Sequence, residues 1–234
     1  MDRTASYRRR GGKKGGLPAL MKRYALKSCI LLSVAYAMLR MAHWALGFTY
    51  FTQLSNLYVA AAVICQLAKP GRGSLLLKYT AAVSIVITFL VYLLVLAPMV
   101  PGGLIAAYRQ DHWASLCLHV LTPAFAVADF LLVDSHAGAL RRRDALLALL
   151  PPLAYFALIL GLRRCGVDWM GMAAPYPFLN YTAPAGWFGW LPDTAGPATM
   201  GVGVAYALIL MLGVFLLVGQ GLLAAAKKIK QARP

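Results

Sequence analysis

Side chains that can exchange protons or hold anions recur inside stretches of this chain that are otherwise apolar. Ser33, Tyr36, Arg40 and His43 follow one another at helical spacing, and so do Ser115, His119, Thr122 and Asp129. Thr52, Ser55 and Asn56 form a shorter stripe over a single turn. An imidazole such as His119 can take or release a proton near neutral pH, and a guanidinium such as Arg40 can pair with a carboxylate or phosphate. Hydrocarbon excludes such groups, so the stripes are expected to face one another or a wet cavity. Pro123 lacks an N–H, so the carbonyl of His119, four residues earlier, loses its helical hydrogen bond. A kink is expected there, with a free acceptor beside the imidazole. Ser and Thr in such helices more often bond or pack between helices, and His112 and His136 read as solvated loop residues.

The elements that must position these groups are long and apolar. Hydrophobic residues make up 61% of the 234 and charged residues only 13%, too few to cover a water-facing globule. Six apolar runs approach the ~20 residues that cross a bilayer core. They are Ala25–Leu46, Phe51–Leu67, Leu76–Met99, Trp113–Val133, Ala145–Leu162 and Ala198–Ala226. The runs are continuous rather than alternating, which selects helices over a barrel. The expected fold is therefore an all-α polytopic membrane protein with six transmembrane helices. Residues 24–226 form the membrane domain, 1–23 a disordered basic arm, and 227–234 a basic tail.

The net charge of +16 would suggest a nucleic-acid partner in a soluble protein, but here the basic residues are sorted by position. All but Arg40, Arg109, Arg163 and Arg164 of the 23 fall on one side of the six-helix layout. That bias places both termini in the cytoplasm of a cell-membrane protein, with the arm touching anionic headgroups or serving as a topology signal. The first apolar segment is too long for a signal-peptide core and lacks an A-x-A site. Cys29, Cys65, Cys117 and Cys165 contain no CxxC pair, and no metal-ligand spacing, phosphate loop or GxSxG elbow is present. No cofactor, metal or nucleic-acid partner is expected; membrane lipids are, and the oligomeric state stays open.

Depth can be counted at ~1.5 Å per residue. Arg40 falls about 10 Å below the outer end of the first helix, and His119 about 9 Å below Trp113. Thr52 opens the second helix from the same side, with Ser55 and Asn56 a turn deeper. The outer connection 163–197 carries PYPFLNYTAPAGWFGWLP, whose aromatics suit an interfacial belt or a re-entrant cap. Folded over, it brings Tyr176 and Asn180 above one outward-facing pocket. Asp129 lies roughly 15 Å further along from His119, where a capping or packing role near the cytoplasmic interface is expected.

Three segments, FTQLSNL (Phe51 to Leu57), HVLTPAFAVAD (His119 to Asp129) and YPFLNYTAP (Tyr176 to Pro184), occur in this order. Together they resemble the androgen-induced and androgen-dependent TFPI-regulating membrane proteins, and the FT-x-x-SN form looks most like their bacterial branch. Animal members are intramembrane hydrolases of fatty acid esters of hydroxy fatty acids, using a Thr nucleophile and a His. The resemblance implies Thr52 as nucleophile and His119 as its base. Asn56 one turn from Thr52 is a candidate oxyanion donor, with Ser55, Arg40, Tyr176 and Asn180 as substrate contacts. Rival readings are an acyltransferase in which a second lipid replaces water, and a non-catalytic protein that binds or moves an amphiphile.

Overall fold

The computed structural model describes residues 17–134, 137–196 and 200–232. Regular structure among them is helical, with only isolated two-residue bridges besides. Six long helical segments follow in order: α1 (Leu17–Arg40), α2 (Phe51–Ala68), α3 (Arg72–Met99), α4 (Gly103–Val133), α5 (Arg142–Arg164) and α6 (Val204–Gln231). Five of them, α2 to α6, are each long and apolar enough to cross a membrane, the property of a multi-pass membrane protein. α1 is as long, at 24 residues, but carries Lys22, Arg23, Lys27 and Arg40.

Several boundaries differ from the sequence reading for local reasons. α1 begins at Leu17, inside the stretch expected to be an unstructured arm, and residues 1–16 lie outside the described residues. It ends at Arg40 rather than Leu46. The chain then turns through a 3-10 segment, Ala45–Thr49, where Gly47 packs under Trp44; a Cβ at Gly47 would sit 2.6 Å from that indole. α5 is 3-10 from Arg142 to Leu149 and α-helical from Leu150, so Pro151 and Pro152 fall at the start of the α segment, where the missing N–H groups cost no intrahelical bond. α6 starts at Val204, six residues later than expected, and carries the basic tail in helical form as far as Gln231.

α4 departs furthest from a plain rod. Asp111, His112 and Trp113 hold φ of 49°, 54° and 71°, three successive left-handed residues without a glycine. Each costs about 1–2 kcal/mol, and the Tyr36 hydroxyl braces the break by donating to the His112 carbonyl at 2.6 Å. The membrane run expected from Trp113 thus starts as soon as this break ends. Wide π turns follow at Cys117–Leu121 and Asp129–Val133. The first is what Pro123 produces: the N–H of Thr122 reaches back to the Cys117 carbonyl, so the helix widens instead of snapping.

The two largest apolar clusters among the described residues tie the helices together. Tyr79, Phe130 and Phe215 join α3, α4 and α6, while Ile30, Val63 and Ile85 join α1, α2 and α3. Gly219 lets α6 approach α3 closely, since a Cβ there would lie 2.5 Å from the Tyr79 hydroxyl. The connection between α5 and α6 folds back as a cap around Trp169, Tyr176 and Leu179. Its Phe188 and Trp190 stay exposed.

Candidate functional site

Thr52 is the second residue of α2, where the backbone N–H groups have no partner within the helix. Its N–H donates to the Tyr176 hydroxyl at 3.3 Å, and its Oγ1 lies 3.5 Å from the same oxygen. The cap therefore delivers a phenol from 124 positions away to the start of α2. Burial pushes the Tyr176 phenol up to about 12, so it is neutral at physiological pH and acts as donor and acceptor, not as a base. Thr52 is 8% exposed and forms part of the wall of a cavity of about 60 Å³, with Thr88 and otherwise apolar or aromatic neighbours such as Phe51, Tyr155 and Phe215. A more open recess of about 380 Å³ between α2 and α5 shares Phe51 and Tyr155 as walls and includes Ser55 and Ser84.

His119 sits in the π turn of α4 and is 7% exposed. Its Nδ1 is 2.8 Å from the Ser115 carbonyl, an oxygen that can only accept, so Nδ1 carries the proton and Nε2 keeps its lone pair. The ring stacks on Tyr92, with centroids 3.5 Å apart and planes 13° from parallel. Tyr92 in turn donates to the Ala107 carbonyl at 2.8 Å and meets Ser115 Oγ at 2.8 Å. Tyr92 was not singled out from the sequence. It lies in the apolar run of α3, where a tyrosine reads as an ordinary core aromatic.

Asn56 joins the two halves of the site. Its Nδ2 donates to the Thr52 carbonyl at 2.8 Å and to the Leu118 carbonyl at 3.2 Å, which ties the first turn of α2 to the residue before His119. Both amide hydrogens are thereby committed. Asn56 Oδ1 is buried without a partner. Ser55 Oγ lies 3.0 Å from the Thr52 carbonyl and 2.7 Å from Thr88 Oγ1, tying α2 to α3. Among the described residues no hydrogen bond joins Thr52 to His119, and His119 does not line the cavity that Thr52 does.

Other expected members of the pocket lie elsewhere. Arg40 is exposed at the end of α1 instead of pointing inward towards His119, because the helix stops there and leaves its side chain at the rim. Asn180 is buried, but its Oδ1 accepts from the Ala173 N–H at 3.0 Å and the Thr182 hydroxyl at 2.8 Å, holding the cap together. Thr49, three residues before Thr52, accepts from Trp169 Nε1 of the cap at 2.8 Å.

A second buried polar centre lies at the other end of the bundle. Asp129, fully buried, receives Lys27 from α1 at 2.7 Å and Lys78 from α3 at 2.5 Å. Lys78 also reaches Asp134 at 2.6 Å. Gln66 of α2 accepts from both ammonium groups at 3.0 Å and donates to Asp134 at 2.6 Å. Two cations, two anions and one amide from four helices thus neutralise one another. Asp129 therefore ties α1 and α3 to α4 by buried ion pairs, where a capping or packing role was expected from its position. Lys27 and Lys78 were read as topology charges, since basic residues at helix ends give the same signal whether they face water or a buried carboxylate.

Among the described residues no group of three or more His, Cys, Asp or Glu is placed to hold a metal ion. Comparison with family models, with curated proteins and with solved structures finds no match to this chain.

Proposed function

We propose that this protein is a membrane-embedded hydrolase of fatty acyl esters, with Thr52 as nucleophile and His119 as base, and a member of the family its motifs resemble. The observation that carries the reading is the Asn56 clamp. It holds a threonine on the wall of an apolar cavity against the turn that carries an imidazole with a free Nε2. Water is the second reactant. Thr52 Oγ1 attacks the ester carbon, and its proton passes to His119 Nε2, directly once substrate closes the gap or through one water. The tetrahedral adduct collapses, the alcohol leaves with that proton, and water then cleaves the acyl-threonine to free acid. Catalytic contacts often tighten only with substrate bound, which is compatible with the present separation.

Six membrane spans with both termini in the cytoplasm of a cell-membrane protein belong to the same proposal. The Asp129 partnership supports α1 as the sixth span, because it neutralises the lysine that would otherwise oppose burial. The cavity lies beneath the outer cap, so acyl chains enter from the outer leaflet.

One observation favours a non-catalytic amphiphile-binding protein instead: the partner of the Thr52 hydroxyl is Tyr176, not His119. A fluorophosphonate probe and a long-chain ester assay separate the two. Under the hydrolase reading Thr52→Ala abolishes labelling and turnover, His119→Ala lowers turnover about 100-fold or more, and Thr49→Ala retains it. An active, folded preparation that tolerates both Thr52→Ala and His119→Ala leaves only the binding role.

A further inference from the structure

The amide of Asn56 is the obvious donor for an oxygen developing charge near Thr52, yet its two hydrogens are already spent on the Thr52 and Leu118 carbonyls. An oxyanion or carbonyl at Thr52 needs a donor from elsewhere. Tyr155 of α5 lines the same cavity as Thr52 and also the recess beside it. Its ring packs edge-on against Phe51, with centroids 5.1 Å apart, and lies 6.4 Å from Tyr176. The residue is 8% exposed, and its buried hydroxyl has no acceptor for its proton: the one polar group directed at its oxygen is the Phe51 N–H, itself a donor. A buried donor left unpaired costs free energy, and natural cores avoid it unless something else arrives to accept.

We infer that the Tyr155 hydroxyl is the hydrogen-bond donor that binds the carbonyl oxygen of an acyl ligand at Thr52. The ligand class is a long-chain ester, whose one strong acceptor is that carbonyl and whose chains suit the apolar walls. During attack by Thr52 the carbonyl π pair moves onto the oxygen, and Tyr155 donates to the resulting alkoxide without giving up its proton. That last step rests on the hydrolase reading; the recognition of the carbonyl does not.

The test uses the full-length protein in nanodiscs, with methyl oleate and 1-octadecene as probes that differ chiefly in the ester. The Thr52→Ala background keeps the ester intact during binding. Tyr155→Phe is expected to weaken methyl oleate binding about tenfold and leave 1-octadecene binding unchanged, since one neutral hydrogen bond is lost. Without ligand the same variant is expected to melt at the same temperature as the parent or about 2 °C higher, because an unsatisfied polar group is removed.

Equal ester affinity in Tyr155→Phe overturns the inference. So does a lowered melting temperature, which would mean that the hydroxyl serves the fold. Tyr155-dependent ester binding by a wild-type protein that never hydrolyses the ester sinks the hydrolase reading and leaves this inference standing. Thr52-dependent hydrolysis with kcat and KM unaltered by Tyr155→Phe does the reverse.

Discussion

Replacing Asp129 with Asn keeps the shape of the side chain and removes its charge from the centre of the buried cluster. Lys27 and Lys78, 2% and 4% exposed at their side chains, would then share one carboxylate, Asp134, and the Gln66 carbonyl. Removing one member of a buried ion pair typically costs about 3–5 kcal/mol, because a charge is left uncompensated in a low dielectric. Serving two lysines pushes Asp129 towards the upper end of that range. The expected destabilisation is about 3–5 kcal/mol, measured by reversible unfolding in mixed micelles or by steric trapping in bicelles. It should hardly change with added salt, since ions do not reach the cluster. Combining Lys27→Met with Asp129→Leu leaves Lys78 paired with Asp134, so the double variant should be more stable than the sum of the singles by about 1–3 kcal/mol. A loss below about 1 kcal/mol for Asp129→Asn, or strict additivity in the double variant, would refute the account of a mutually neutralised buried cluster.

Gly219→Ala should destabilise by about 1–3 kcal/mol, because the new methyl meets the Tyr79 hydroxyl at 2.5 Å; Tyr79→Phe in the same chain should recover part of the loss in thermal unfolding. A reporter active only outside the cytoplasm, fused after Pro234, should give no signal, and a strong signal would mean that the number of spans is odd or the orientation reversed.

The helical class and the apolar segments were readable from residue order, because a segment in lipid must be apolar nearly throughout and must close its own backbone hydrogen bonds. The spacing of Ser115 and His119, four apart, placed them on one face, and the structure adds the contacts of the imidazole with the backbone and hydroxyl of Ser115. Pro123 marked the irregular turn, although a missing N–H can be absorbed by a break or by widening, and only the structure shows the wider turn. Partnerships between helices were not readable in this way. Periodicity reports which residues share a face and roughly how deep they lie, but not how each helix is rotated against the next. Lys27 and Asp129, 102 positions apart, and Thr52 and Tyr176, 124 apart, meet only once that rotation is set. The same rotation committed Asn56 to two carbonyls and left the Tyr155 hydroxyl proton without an acceptor, while the early end of α1 left Arg40 outside the bundle. Depth along a helix accumulates residue by residue in one dimension, whereas rotation is settled by side-chain packing on several helices at once.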